Sequence, residues 1–266
     1  MTDLNLVMWL RERCASYSFD VAGIFHRAGN HPWPISAVDA QELEYRLGAG
    51  GHLLPLPKEP AALANVVEVS LVEYLLKAVD DWDGIECHRG TERGYPDIEF
   101  TGPAFGDAFH AVDVKVARRA SSRLRTQSRI TLYTGNTYFK HPALHWRGTF
   151  RPFNDYASHV DILVIYTLNL ELPSRVEDIE LIVHEAWRIA SRQRSSTTRE
   201  YIGAVDSISD LRDGKGAFAT ADEFYKYWRH FPFSMSPQVQ LELEKLVRQQ
   251  GEEIERLKAE PPESIG

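Results

Sequence analysis

From Phe109 to Val116 the chain alternates apolar and polar positions (Phe-His-Ala-Val-Asp-Val-Lys-Val), which predicts a strand with Asp113 and Lys115 side by side on one face. Just upstream, the turn-prone Arg93-Gly94-Tyr95 leads through Pro96-Asp97 into Ile98-Glu99-Phe100, a second short strand. Ile130–Tyr133, Phe19–Phe25 and Ile162–Leu168 also have strand character, and the last is apolar enough for a sheet interior. Helical spacing appears in Asp3–Cys14, and again after Pro60, where Leu63, Val66, Val67, Leu71, Leu75 and Leu76 share a side. Asp222–Phe231 has a stripe of Phe224, Tyr227, Trp228 and Phe231 that suits a core. Ser236–Ala259 is a charged helix with Leu243, Leu246, Val247, Ile254 and Leu257 at helical spacing, suited to packing or dimerisation. Leu181–Ala190 fits either period, and Trp187-Arg188-Ile189 favours a hairpin tip at His184-Glu185-Ala186 over a helix. Gly and Pro make residues 29–60 a long irregular connection.

A length of 266 residues with 43% hydrophobic content leaves room for one large domain or a domain with an appended subdomain, and the expected division is a domain over residues 1–235 with a C-terminal helix and tail over 236–266. There is no run of eighteen apolar residues, and charges interrupt the apolar stretch of Met1–Cys14. Neither a membrane span nor a signal peptide is therefore expected, and the predicted location is cytoplasmic, with no membrane partner. Cys14 and Cys87 form no CxxC motif, so both are expected to be thiols. His26, His141 and His145 lack zinc-ligand spacing.

If the strands after Pro96 and around Asp113 are neighbours, Asp97 comes close to Asp113 and Lys115. Two carboxylates can hold a hard divalent cation, and an adjacent ammonium can orient water or offset charge on a phosphate, which is an arrangement for cleaving phosphodiesters. The competing explanation is a solvated strand face. Glu68, among apolar neighbours on the helix after Pro60, is either a charge on that helix's flank or a third acid facing the same cleft. Net charge is −8, yet Val114 to Asn154 holds nine Lys or Arg (Lys115, Arg118, Arg119, Arg123, Arg125, Arg129, Lys140, Arg147, Arg151) and no acid, leaving −17 on the remainder. Such a tract could neutralise phosphates and position a duplex, or the acidic remainder could balance it in three dimensions.

These pieces, taken in order, resemble the EcoRV restriction endonuclease family. The resemblance runs through Phe19-Asp20-Val21-Ala22-Gly23-Ile24, Tyr95-Pro96-Asp97, Val112-Asp113-Val114-Lys115, Ile130-Thr131-Leu132, Thr197-Thr198 and Ile202-Gly203. It ends with Gly214-Lys215-Gly216-Ala217-Phe218 leading into Asp222-Glu223-Phe224-Tyr225-Lys226-Tyr227-Trp228-Arg229. It implies an α/β fold, with a restriction-endonuclease-like (PD-(D/E)XK) mixed sheet flanked by helices, DNA-binding loops and a dimerisation region. The implied protein is a homodimeric type II enzyme that cuts palindromic double-stranded DNA to 5′-phosphate ends, blunt by family expectation, and is matched by a cognate DNA methyltransferase. Asp97 and Asp113 correspond to Mg²⁺ ligands with the Val114 carbonyl as a further oxygen, Lys115 to the catalytic lysine and Glu68 to an accessory acid.

Two loops depart from the family pattern. The one corresponding to a major-groove loop reads Arg192-Gln193-Arg194-Ser195-Ser196-Thr197-Thr198-Arg199, and the one near the minor groove reads Glu92-Arg93-Gly94. Arginine matches the acceptors of guanine and glutamine can pair with adenine, which suggests a palindromic target with more G·C pairs than that of the family's namesake, while phosphate clamping is the competing role. Arg118, Arg119 and Arg123 of the basic tract are further candidates for DNA contact. A structure-specific repair nuclease of the same fold and a non-catalytic duplex-binding protein are the alternative functions.

Overall fold

The structure is a computed structural model that describes residues 4–19, 38–42, 45, 60–91, 94–172 and 175–259. Within them a five-stranded mixed sheet is built from β1 (Glu86–Arg89), β2 (Ile98–Thr101), β3 (His110–Arg118), β5 (Ser158–Leu168) and β6 (Val176–Glu185), in the order β1-β2-β3-β5-β6. Only β3 and β5 run parallel. A three-stranded antiparallel sheet, β4-β8-β7, is formed by β4 (Thr131–Thr134), β7 (Ala190–Arg194) and β8 (Tyr201–Ala204).

The large sheet buries both faces, so its central strands are apolar in nearly every position: β5 has eight consecutive buried residues from His159 to Tyr166. On one face Val112, Val114, Val160, Ile162 and Val164 meet α1 (Leu6–Ala15) and α2 (Pro60–Ala78). Helix α2 presents Leu63, Val67, Leu71 and Leu75, all fully buried, a four-residue spacing that keeps one stripe against the sheet. Each such burial stabilises the fold by about 1.5–3 kcal/mol before ordering entropy is counted. On the opposite face Ala111, Ala117, Leu163 and Ile165 meet residues of the small sheet, of α3 (Ile208–Asp213) and of α4 (Ala221–His230). The Thr220 side chain caps α4 by accepting from the Glu223 amide at 3.1 Å, and Phe224 and Trp228, one turn apart, are fully buried. Helix α5 (Pro237–Ala259) leaves Leu241, Val247 and Ile254 exposed.

Several sequence expectations need adjusting. The chain does turn after His184-Glu185, but through a short 3₁₀ segment at Ala186–Arg188, and β6 and β7 on either side do not form the expected hairpin. The reason is that Ile182 and Val183 are already paired with β5, while β7 pairs with β8 in the other sheet. Ile130 is core but precedes its strand. Strand β1, at the sheet edge, has the sequence Glu-Cys-His-Arg, and its exposure removes any apolar alternation that could have announced it. The expected strand Phe19–Phe25 and the connection 29–60 lie largely outside the described residues. No helix among the described residues is long and apolar enough to cross a membrane.

Candidate active site

Strand pairing assembles the acids. The β2–β3 register sets Ile98 opposite Val112, and continuing it by one residue sets Asp97 opposite Asp113. On the other side of β3 the parallel register sets Asp161 opposite Asp113. Three aspartates thus lie in a row across adjacent strands, at cross-strand spacings of about 5 Å, with Lys115 one row further along β3 on the same face.

The turn that delivers Asp97 is tightly held. Tyr95 is buried and its hydroxyl lies 2.6 Å from His159 Nδ1, with the rings stacked at 5.8 Å between centroids. His159 in turn stacks on Phe153 at 3.8 Å. Gly94 crosses Gly148 so closely that a Cβ there would fall 1.8 Å from the Gly148 carbonyl oxygen, so only glycine fits. The Asp97 carboxylate then accepts from the Val114 amide at 2.6 Å, which directs it towards β3.

Electrostatics tie the group together. Lys115 Nζ forms an ion pair with Asp113 Oδ2, and the Asp113 side chain is 5% exposed against 25% for Lys115. Burial, together with the neighbouring Asp113, pushes Asp97 up to about 8, against the pull of Lys115 and the Val114 amide. Burial alone would lower the Lys115 ammonium, but Asp113, Asp97 and Asp161 more than reverse this and hold it above the ordinary lysine value. Half-buried Glu68 is also raised by burial, and it feels Lys115, Asp113 and Arg89, so α2 brings it into the same field. Arg89 is itself paired with Glu73.

Among the described residues no group of three His, Cys, Asp or Glu surrounds a common metal position. The residues that could hold a metal here are the Asp97–Asp113 pair, with main-chain oxygen and solvent left to complete the shell. Val114 N–H and C=O both point to the Asp97 side of β3, as they must in a strand. Two hard oxygen donors, one of them raised by burial and then by its neighbour's charge, fit a hard divalent cation, which would offset that charge.

The residues with expected DNA roles are largely engaged within the protein. Arg119 pairs with Glu180 at 2.6 Å and donates to the Ile165 and Asp178 carbonyls, Arg123 pairs with Asp178 at 3.1 Å, and Arg118 ends β3 half-buried. Arg192 pairs with Glu223 and lies over the Phe218 and Tyr227 rings, Gln193 accepts from Arg129 at 2.5 Å, and Arg194 pairs with Glu200 at 2.8 Å. Ser195 contacts Thr131 at 2.6 Å, and Ser196 Oγ accepts from the Thr198 and Arg199 amides, shaping a β7–β8 turn that exposes Thr197, Thr198 and Arg199. Of the shorter loop, Glu92 and Arg93 lie outside the described residues. Asp161 was not anticipated from sequence. Its signal was a single charge inside the apolar run Val160-Asp161-Ile162-Leu163-Val164.

A family model described as restriction endonuclease EcoRV matches residues 30–249. The chain is 22% identical over 202 residues to the type II restriction enzyme EcoRV of Escherichia coli, an alignment covering 70% of this chain and 80% of that protein.

Proposed function

Because the chain belongs to the EcoRV restriction endonuclease family and is thereby a type II site-specific deoxyribonuclease, we propose that Asp97, Asp113 and Lys115 form its cleavage centre. The observation that carries this assignment is the register that sets Asp97 opposite Asp113 with Lys115 on the same face. Mg²⁺ bound by the Asp97 and Asp113 carboxylates and the Val114 carbonyl would supply Lewis-acid polarisation of the phosphate and acidify an attacking water. The protein's own contribution is orientation and charge. The Val114 amide and the Tyr95 brace fix Asp97, the Lys115 ammonium stands where negative charge grows on the phosphate, and Glu68 adds a third acid at the rim. In-line hydrolysis leaves 5′-phosphate and 3′-hydroxyl ends.

The partner is double-stranded DNA with a palindromic target, bound by a homodimer and cut to blunt ends, and protected in its host by a cognate methyltransferase. The segment Arg192–Arg199 approaches the major groove with its exposed Thr197-Thr198-Arg199 tip, and the target contains G·C pairs read by arginine. Plasmid digestion followed by fragment-end sequencing tests this reading. Discrete fragments with one shared end sequence are expected from the wild type, with no cleavage by Asp97→Ala or Asp113→Ala. Full Mg²⁺-dependent activity in either variant would refute the assignment, and unspecific degradation would point to a repair nuclease.

A further inference from the structure

The row of acids extends beyond the groups used above. Asp161 is fully buried in the middle of β5, directly beside Asp113 and diagonal to Lys115. Among the described residues its Oδ1 has no hydrogen-bond partner, and its Oδ2 has only the Tyr133 hydroxyl at 3.5 Å. The neighbour on its other side, His184 of β6, is engaged by Arg11 and by the Arg212 carbonyl, each at 3.1 Å, and leaves Asp161 unsatisfied. A buried carboxyl oxygen without a partner is a cost to folding, and here it lies one strand away from a lysine whose ion-pair partner is the acid between them.

We propose that Asp161 is a positioning residue for Lys115, its unpartnered oxygen accepting the ammonium when the Asp113 oxygens are drawn to a cation. The ammonium has to go somewhere when Asp113 turns to another ligand. Retreat into solvent would take it off the reacting phosphate, whereas a second acceptor on the same face keeps it within one strand spacing of its position. The role asks only for an acceptor oxygen, which an amide also supplies. Asp161→Asn should therefore retain function and Asp161→Leu should lose it.

The proposal rests on Lys115 belonging to the cleavage centre, and two measurements separate the claims. In single-turnover cleavage, Asp161→Leu should fall on the order of 100-fold, with DNA affinity in Ca²⁺ and melting temperature no lower than wild type, while Asp161→Asn stays within about threefold. Independently of cleavage, acetylation of Lys115 in the Ca²⁺-loaded protein, read by peptide mass spectrometry, should be several-fold faster in Asp161→Leu than in wild type or Asp161→Asn. Asp161→Ala serves as the non-acceptor variant if leucine prevents folding. Wild-type cleavage in the non-acceptor variant, equal loss in asparagine and leucine, or Lys115 labelling unchanged across all variants would each overturn the proposal. A wild-type chain that does not cleave DNA would overturn the catalytic assignment instead, and Lys115 labelling would still decide whether Asp161 anchors it.

Discussion

Replacing Arg151 by methionine should destabilise the protein by about 3 kcal/mol, the lower end of the range for breaking a buried ion pair. Arg151 grips Glu99 of β2 with two charge-assisted bonds, Nε to Oε2 at 2.7 Å and Nη2 to Oε1 at 2.9 Å, and its guanidinium lies 3.3 Å from the centre of the Phe109 ring. The Glu99 side chain is 3% exposed and that of Arg151 22%, so the carboxylate depends on the arginine while the arginine keeps some water. Methionine retains the stem and the packing on Phe109 but leaves Glu99 buried and unpaired, which is the costly half of the interaction. Replacing Glu99 by leucine in the same chain removes the orphaned charge, so the double variant should recover most of the loss. A double-mutant cycle from urea unfolding would then give a coupling of about 2–4 kcal/mol. Loss below about 1 kcal/mol in Arg151→Met, or a double variant as unstable as the sum of the singles, would refute the claim that this pair clamps β2.

The other predictions concern charge at the site and in the segment Arg192–Arg199. With Asp97 raised to about 8 in the fold, the native state holds its proton more tightly than the unfolded chain does. The stability this gives is complete below the ordinary carboxylate range and is lost as pH rises through about 8. Metal-free urea midpoints should thus fall across that window and the fall should flatten in Asp97→Asn; a midpoint that rises with pH and is insensitive to that substitution would contradict the carboxylate pairing. Arg194→Ala separates base reading from clamping. Base reading predicts a loss of about 1–3 kcal/mol confined to the cognate sequence in Ca²⁺-supported binding, and a uniform loss over all sequences would reject it.

Periodicity in the sequence announced the parts of the fold whose two sides differ or whose interior is wholly apolar. Helix α2 keeps Leu63, Val67, Leu71 and Leu75 on one stripe, and β3 alternates around Asp113 and Lys115, so both were legible from local pattern. Strand β1 was not, because an exposed edge imposes no alternation on Glu86–Arg89. The segment Leu181–Ala190 departs from its local pattern for a different reason: a turn is a local property, but it does not set which strand each flanking segment pairs with, here Ile162–Val164 of the preceding strand for one side and, across the next turn, Ile202–Ala204 for the other.

The same distinction governs the charges. Along the sequence Lys115 to Arg151 forms a basic block, yet in space Lys115, Arg119, Arg123, Arg125 and Arg151 pair with Asp113, Glu180, Asp178, Asp206 and Glu99, five acids of which only Asp113 lies within or beside that block. Neutralising a lysine or arginine inside the protein removes it from the counterion exchange that drives phosphate binding, so sequence clustering overstates the electrostatic pull of this surface on DNA. The acids of the site invert the argument. Asp97, Asp113 and Asp161 are scattered over sixty-five positions of the chain and show no cluster, but strand pairing lines them up. Cations that are adjacent in sequence are dispersed and compensated, while acids that are distant in sequence are concentrated with a single lysine among them. That concentration is held against like-charge repulsion by the Val114 amide, by the Tyr95–His159 brace and by the packing of β5. A fold optimised for stability alone would remove it, which makes the aspartate row the place where the energetic and the functional demands on this sheet part company.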